Sequence, residues 1–284
     1  MILIDLNSAM IASLMALNSG DIDVDENMLR HFCLNAIRSY VLKFKSNAPV
    51  VLCDDPEVSW RREIFPQYKQ RRREKREEDA EKWKVFFGHL SKIKQEFAQF
   101  LPYVYLKVNR AEADDLIAIL AKSTNEPSVI VSNDGDFVQL LTAGKNLKIW
   151  SPAKGIFMET PADPDLETKR FVMQGDSGDG VPNILSDDDC FVNTEKRQKP
   201  LRKTLIEEIV QLPVAQWRTK ITPEKNIQRN LKLIDFNYIP DDVRCDILEA
   251  YEDRKKNLKV DRMKLLTYLS SNNCRLMIEK ITDF

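Results

Sequence analysis

The ten residues Ser128-Val-Ile-Val-Ser-Asn-Asp-Gly-Asp-Phe137 constrain the fold most strongly. A short β-branched run ends abruptly in acids, which predicts a buried strand with carboxylates at its carboxyl end. In open α/β sheets that end is where ligands bind. Along an extended chain Asp134 and Asp136 point the same way, and Gly135 lets the backbone turn between them. Two carboxylates this close raise each other's pKa. A divalent cation removes that cost, because hard cations favour such oxygens. Taken by itself, the stretch also suits an Asp-rich strand-to-helix turn, with Asp as helix N-cap.

The same design recurs in Met1-Ile-Leu-Ile-Asp5 and Val50-Val-Leu-Cys-Asp-Asp55. Between them, apolar residues from Met28 to Phe44 fall at three- and four-residue steps, the mark of a helix with a wide core face. Strand, helix, strand predicts a βαβ unit and a parallel sheet. Tyr103 to Val108 is a further strand, and Arg110 to Leu120 is a helix with acids in its first turn. Leu147 to Trp150 and Ile156 to Glu159 read as a hairpin around the Ser151–Gly155 turn. Beyond Pro164 the pattern is helical throughout, with candidates at 166–174, 201–211, 223–234, 241–253 and 262–269. With 284 residues there is room for one large or two ordinary domains. The expected fold class is α/β: a mostly parallel central sheet flanked by helices in residues 1–162, and a smaller helical part in residues 163–284.

Residues 56–100 depart from this pattern. Trp60 to Arg76 holds eight Lys or Arg against two Glu, with Trp60, Phe65 and Tyr68 interleaved. From Arg71 to Lys82 only Ala80 is apolar, so that stretch has nothing to pack on a core. Helical spacing of apolar residues resumes from Trp83 to Leu101. The expectation is a long helix that projects in its first half and is buried in its second. A solvated charged face is the ordinary fate of such a run, but the interleaved aromatics and the absence of apolar positions point to a ligand.

Composition excludes several classes. Lys plus Arg is 43 and Asp plus Glu is 44, so net charge says nothing about partners. The five cysteines are scattered, odd in number and without a CxxC pair. They imply reduced thiols in a cytosol-like compartment, without zinc. No apolar run approaches the roughly 18 residues of a membrane span. Met1 opening directly on a strand leaves the expectation of no signal peptide.

The strand-end and turn acids are Asp5, Asp55, Glu112, Asp114, Asp115, Asp134, Asp136, Asp176 and Asp179. The last two lie in Gln174-Gly-Asp-Ser-Gly-Asp-Gly180, which contains three of the eight glycines. Glu112, Asp114 and Asp115 would also suit a helix N-terminus, and Asp187-Asp-Asp189 reads as a solvated loop. Four segments nevertheless bring acids to one edge of the expected sheet, and a fifth is able to join them. Without cations such a cluster is strongly destabilising, so hard-metal binding is expected.

This ordered set resembles the flap-endonuclease family of 5′ nucleases, and within it the RNase H branch of the T-even bacteriophages, over nearly the whole chain. The resemblance is carried by Ile4-Asp5, Val51-Leu-Cys-Asp-Asp55, Trp60-Arg-Arg62 with Tyr68-Lys69 and Arg72, and Glu112-Ala-Asp-Asp115. It continues through Asp134-Gly-Asp136-Phe, Gly175-Asp-x-x-Asp179 and Asn230-Leu-x-Leu-Ile-Asp-Phe-x-Tyr-Ile-Pro240. It implies two magnesium ions, for which manganese can substitute. Asp5, Asp55, Asp115 and Asp134 would surround the first with Glu112 in support and Asp114 among the metal-holding acids. Asp136, Asp176 and Asp179 would surround the second, largely through water. Asp54 and Asp55 point to opposite faces of their strand, and the family's spacing favours Asp55.

The resemblance further implies a 5′→3′ exonuclease and flap endonuclease that removes RNA primers and adjacent DNA from duplex 5′ ends during replication. Its substrates would be duplex DNA with a 5′ flap or fork, and RNA–DNA hybrids. In the arm, Arg61, Arg62, Tyr68, Lys69, Arg72 and Lys75 are the expected nucleic-acid contacts. Lys69 and Arg72 would meet the charge of the scissile phosphate, and Tyr68 would stack on an unpaired terminal base. Gly180-Val-Pro-Asn-Ile-Leu-Ser-Asp-Asp matches the family's helical hairpin only in part. That leaves the duplex grip to Lys196, Arg197, Lys199, Arg202 and Lys203. A single-stranded-DNA-binding protein docking on the C-terminal helical part, a monomeric state and a cytoplasmic location (the host's, if phage-encoded) complete the expectation. Two other classes compete. A PIN-type ribonuclease would share the acids but not need the arm, and a non-catalytic binder of DNA structure would keep the arm but lose the acids.

Overall fold

The computed structural model describes residues 1–17, 25–44, 48–78, 80–142 and 146–284, without the side chains of 14–17, 76, 78 and 80–83. The expected packing of Trp83 therefore lies outside it. The strands are β1 (Ile2–Asp5), β2 (Val50–Asp54), β3 (Val104–Lys107), β4 (Ser128–Val131), β5 (Leu147–Ser151) and β6 (Ile156–Phe157). They form one sheet in the order β3-β2-β1-β4-β5-β6. β1 to β5 are parallel and β6 returns antiparallel to β5. From central β1 the chain builds outward through β2 and β3, then crosses to β4 and β5 on the other side. The gap between β1 and β4 is thus a topological switch point, where open α/β sheets bind ligands.

The helices between strands are α1 (Leu6–Leu17), α2 (Glu26–Phe44), α3 (Trp60–Ile64), α4 (Gln70–Glu78), α5 (Ala80–Phe100) and α6 (Ala113–Ser123). After the sheet come α7 (Pro164–Gln174), α8 (Lys203–Val210), α9 (Val214–Trp217), α10 (Glu224–Ile234), α11 (Asp241–Asn257), α12 (Arg262–Ser271) and α13 (Arg275–Ile278). Helix α1 has no counterpart in the sequence expectation. It starts directly at the end of β1, where the Asp5 carboxylate accepts the Ser8 backbone N–H at 3.0 Å and so caps the helix.

Strand alternation divides the core. Leu3, Val51 and Leu106 face α6 and the later helix α11, through Leu116, Leu120, Val243 and Ile247. Ile2, Ile4 and Leu52 face α2 and α5, through Leu29, Ile37, Ile93 and Phe97, with Leu265 and Leu269 of α12 beyond. A third core joins Phe65 and Tyr68 at the base of the arm to α7, α8 and α10, around a fully buried Trp217. The expected division near residue 162 marks where the strands end. The packing adds that residues 166–234, with Phe65 and Tyr68, build a core away from the sheet, while α11 to α13 fold back onto its two faces.

The arm is helical over α4 and α5. The described side chains of α4 are mostly exposed, whereas Leu90, Ile93, Phe97 and Leu101 are buried at helical spacing.

Candidate active site

The carboxyl ends of β1, β2 and β4 and the N-terminus of α6 open into a groove of about 850 Å³. Asp5, Asp54, Asp55, Asp114, Asp134, Asp136, Asp176 and Asp179 line it, with Lys69, Arg72, Lys94 and Lys107 as the cations on its wall.

Each acid arrives by a local device. Asp5 ends β1, accepting Ser8 N–H and Ser132 Oγ (2.9 Å). Burial, with Asp55 and Asp134 adding their charge, pushes its carboxyl up to about 6. Asp134 caps the 3-10 turn Gly135–Leu140, its Oδ1 accepting the Asp136 N–H at 2.9 Å. Burial, then Asp134, Asp176 and Asp179, push Asp136 up to about 8. Burial and Asp5 also hold Asp114 far above the carboxylate range. Asp176 is raised by burial and by Asp179.

Asp176 and Asp179 lie in a tight turn rather than on a helical face. Asp176 and Val181 exchange backbone hydrogen bonds (2.9 and 2.7 Å). Gly175 has φ 72°, and a Cβ there would lie 2.4 Å from the Val181 carbonyl oxygen, so only glycine fits.

A different set of acids is neutralised. Asp115 accepts from Arg61 through both oxygens (2.9 and 2.8 Å), from Trp60 Nε1 (2.9 Å) and from the Glu112 N–H (3.0 Å). Glu112 receives Arg61 (3.0 Å), Tyr68 Oη (3.0 Å) and Lys69 Nζ (2.6 Å). Asp179 receives Tyr68 Oη and Arg72, both at 2.8 Å.

Three expectations are corrected by this arrangement. Asp115 is fully buried, its carboxylate is spent on Arg61, and it does not line the groove. Successive helical residues point about 100° apart, so Asp114 faces the groove in its place. Arg61 and Tyr68 are also buried, at 3% exposure each. Arg61 donates to Asp115, Glu112 and the Leu233 carbonyl, and Tyr68 to Glu112 and Asp179. Neither is free to contact DNA or to stack on a base. Trp60 and Phe65 beside them are buried as well, so this part of the arm's base is a dock, not a ligand surface.

Other expected residues do meet at the groove. Lys69 and Arg72 stand on its wall, Lys69 with a positive φ of 55°. Arg62 is half-buried and Lys75 exposed. Lys196, Arg197, Lys199, Arg202 and Lys203 are exposed as a separate group. Two of these already have partners in the acidic loop: Lys196 pairs with Asp189 at 2.9 Å and Lys199 with Asp187 at 3.3 Å. Asp54 and Asp55 both line the groove but have different partners. Asp54 receives Lys94 (2.5 Å) and Tyr105 (2.6 Å). Asp55 receives only neutral donors, Asn7 Nδ2 (2.5 Å) and the Ala113 N–H (2.8 Å). Sequence reasoning missed Asn7, Lys94, Tyr105 and Lys107.

Among the described residues no three acidic, histidine or cysteine side chains already stand as a ligand set around one point. The carboxylates ring the groove instead. The wall carries no histidine or cysteine, and such an all-oxygen set suits a hard cation. Magnesium in particular keeps several waters and takes one or two protein carboxylates directly, so a ring rather than a closed cage fits it.

Residues 1–168 match the model of the 5′-3′ exonuclease N-terminal resolvase-like domain, and residues 162–284 match the C-terminal domain of T4 RNase H. The chain is 31% identical to ribonuclease H of Enterobacteria phage T4 over 274 residues, 92% of this chain and 88% of that protein. It is 28% identical to flap endonuclease Xni of Shewanella denitrificans over 56% of this chain and 64% of that one. In structure it is similar to T5 5′-exonuclease with bound zinc, at TM-score 0.63 and 16% identity over 91% of this chain and 99% of that one.

Proposed function

The chain belongs to the 5′-3′ exonuclease family, and from that membership we propose that it is a magnesium-dependent 5′→3′ exonuclease and flap endonuclease. The observation that carries the reading is a cluster of aspartates at the sheet's switch point that have no cationic partner among the described residues. Its members Asp5, Asp114, Asp136 and Asp176 have their protons held by burial and mutual repulsion. An enzyme that did not load cations there would gain stability by losing those charges.

In this reading Asp5, Asp55, Asp114 and Asp134 hold the first of two magnesium ions, and Asp136, Asp176 and Asp179 the second. When bound, the ions supply an activated water and neutralise the charge that builds on the reacting phosphate. Glu112 holds Lys69 on the groove wall (2.6 Å), and Asp179 holds Arg72 (2.8 Å). Each cation has remaining N–H groups for a phosphate oxygen. The exposed face of α4, with Lys75, guides the strand, and the group from Lys196 to Lys203 contacts duplex backbone.

The substrates proposed are RNA primers and adjacent DNA at duplex 5′ ends, as flaps or hybrids, in replication. A single-stranded-DNA-binding protein is the proposed partner. Exposed Val260 in the connector before α12, Met263 on α12 and Leu276 on α13 support docking there. The enzyme is taken to act as a monomer in the cytoplasm.

The test is cleavage of 5′-labelled RNA–DNA hybrid and flap substrates by wild type and Asp134→Asn, with magnesium and with chelator. Products from wild type in magnesium alone are expected. Equal products in chelator, or from Asp134→Asn, would overturn the reading.

A further inference from the structure

Asp54 and Asp55 are neighbours with opposite fates, and the reason lies outside the acid cluster. Asp54 is 2% exposed, and its charge is met by Lys94 from α5. Asp55 has no cationic partner among the described residues. Its Oδ1 accepts the Ala113 N–H at the start of α6 and its Oδ2 accepts Asn7 Nδ2, so both oxygens are fixed.

Asn7 is fixed in turn. Its Oδ1 accepts from Lys94 Nζ. A lysine ammonium only donates, so the amide oxygen must face Lys94 and the amide N–H must face Asp55. The usual ambiguity of an asparagine side chain is removed by chemistry. Lys94 is held by Asp54, which also accepts from Tyr105 Oη (2.6 Å) and from the Asp55 N–H (2.9 Å). The result is one connected path, from α5 through Lys94 and Asn7 to the Asp55 carboxylate.

We infer that Asn7 and Lys94 are positioning residues. Lys94 sets the amide of Asn7, and Asn7 sets the carboxylate of Asp55 for cation binding. This rests on the metal-nuclease reading above. Neither residue need touch substrate. An Asn in the first turn of a helix and a lysine paired with a buried aspartate are common structural features, so the test must separate orientation from stability.

The experiment is calorimetric titration of the protein alone with manganese, for wild type, Asn7→Ala, Lys94→Met and the double variant, alongside melting in chelator. Removing a hydrogen bond that orients a metal-binding carboxylate typically weakens metal affinity about tenfold or more. Asn7→Ala should show that loss with an unchanged melting temperature. Lys94→Met should show it too, together with lower stability, because Asp54 is left buried and unpaired. The double variant should bind no more weakly than the weaker single, because both act on one path. Wild-type manganese affinity in Asn7→Ala overturns the inference alone, as does a double loss equal to the product of the singles. A wild-type protein that binds no manganese overturns the metal reading, and this inference with it.

Discussion

Two regions of this molecule are rich in aspartate, and they behave in opposite ways. At the sheet's switch point the carboxyls of Asp5, Asp114, Asp136 and Asp176 are all raised from their ordinary value, by burial first and by neighbouring aspartates next. In the loop Asp187–Asp189 every acid has a basic neighbour. Arg229 meets Asp188 at 2.5 Å, Lys225 meets it at 3.4 Å, and Lys196 and Lys199 meet the other two. There the hydrogen bonds of Arg229 bring Asp188 below the usual range despite burial, and that of Lys196 does the same for Asp189. Acid count therefore does not mark a cation site. What marks it is acid that the chain leaves without its own cation.

Exchanging charge for neutrality breaks this contrast most sharply. Asp134→Asn should reduce cleavage to background while leaving the chelated protein as stable as wild type or more so, since one charge leaves a repulsive cluster. Asp188→Asn should do the reverse, keeping cleavage and lowering the melting temperature, because the largely buried Arg229 loses its anion. Activity assays with paired melts decide. A destabilised Asp134→Asn that still cleaves would make Asp134 a structural cap.

Next in size is a contrast between cations. Lys69→Ala should lower the single-turnover rate in magnesium by ~10²–10³, the loss typical of one donor to a developing negative charge. Lys199→Ala, already paired with Asp187, should only weaken duplex binding a few-fold and flatten its salt dependence, at near-normal rate (roughly one phosphate contact). Affinity in calcium and rate in magnesium separate the two. Identical profiles would reduce Lys69 to a guide rail.

A smaller effect is read from pH. Asp5 and Asp136 titrate at about 6 and about 8 in the fold. Unfolded, they titrate near 4. The fold therefore keeps protons that the unfolded chain has released, and this cluster's contribution to stability falls as pH rises from about 4 to about 8. The loop runs the other way. Lowered Asp188 and Asp189 stabilise above pH about 4 and lose that contribution as pH falls through their folded values. Melting curves of chelated protein across this range should slope downward, and Asp136→Asn should flatten them. Saturating magnesium should flatten them as well. A slope unaltered in Asp136→Asn would assign it to other groups.

The smallest change expected is in Asp189→Asn, which releases Lys196. Duplex affinity should rise slightly and its salt dependence steepen. Unchanged binding would place Lys196 outside the duplex contact.

The strands and their terminal acids were legible because buried parallel strands need β-branched runs and the acids stop them abruptly. Asp115 was misread in favour of its neighbour's role. The signal was present: Glu112 and Asp115 are three apart, the spacing of a reciprocal N-terminal cap, so Asp115 belonged to the helix and Asp114 to the groove. Arg61 and Tyr68 were read with the exposed helix that follows them. Trp60, Phe65 and Tyr68 were the clue that this part is docked, and all three are buried. Asn7 and Lys94 carried no local signal. An amide and a lysine become meaningful only once the fold brings Lys94 of α5 to Asn7 of α1, 87 residues away in sequence, beside Asp55.

The position of β1 also has a consequence for biosynthesis. Among the described strands β1 is synthesised before the others and lies centrally, and its β4 partner follows more than a hundred residues later. The sheet's two faces are then closed by Val243 and Ile247 on one side and Leu265 and Leu269 on the other. A nascent chain therefore carries an unfinished, apolar sheet until α11 and α12 have been synthesised. Non-local pairing of this kind slows folding and exposes strand edges to aggregation. Chains stalled or truncated before α11 should be the species that chaperones hold and proteases clear.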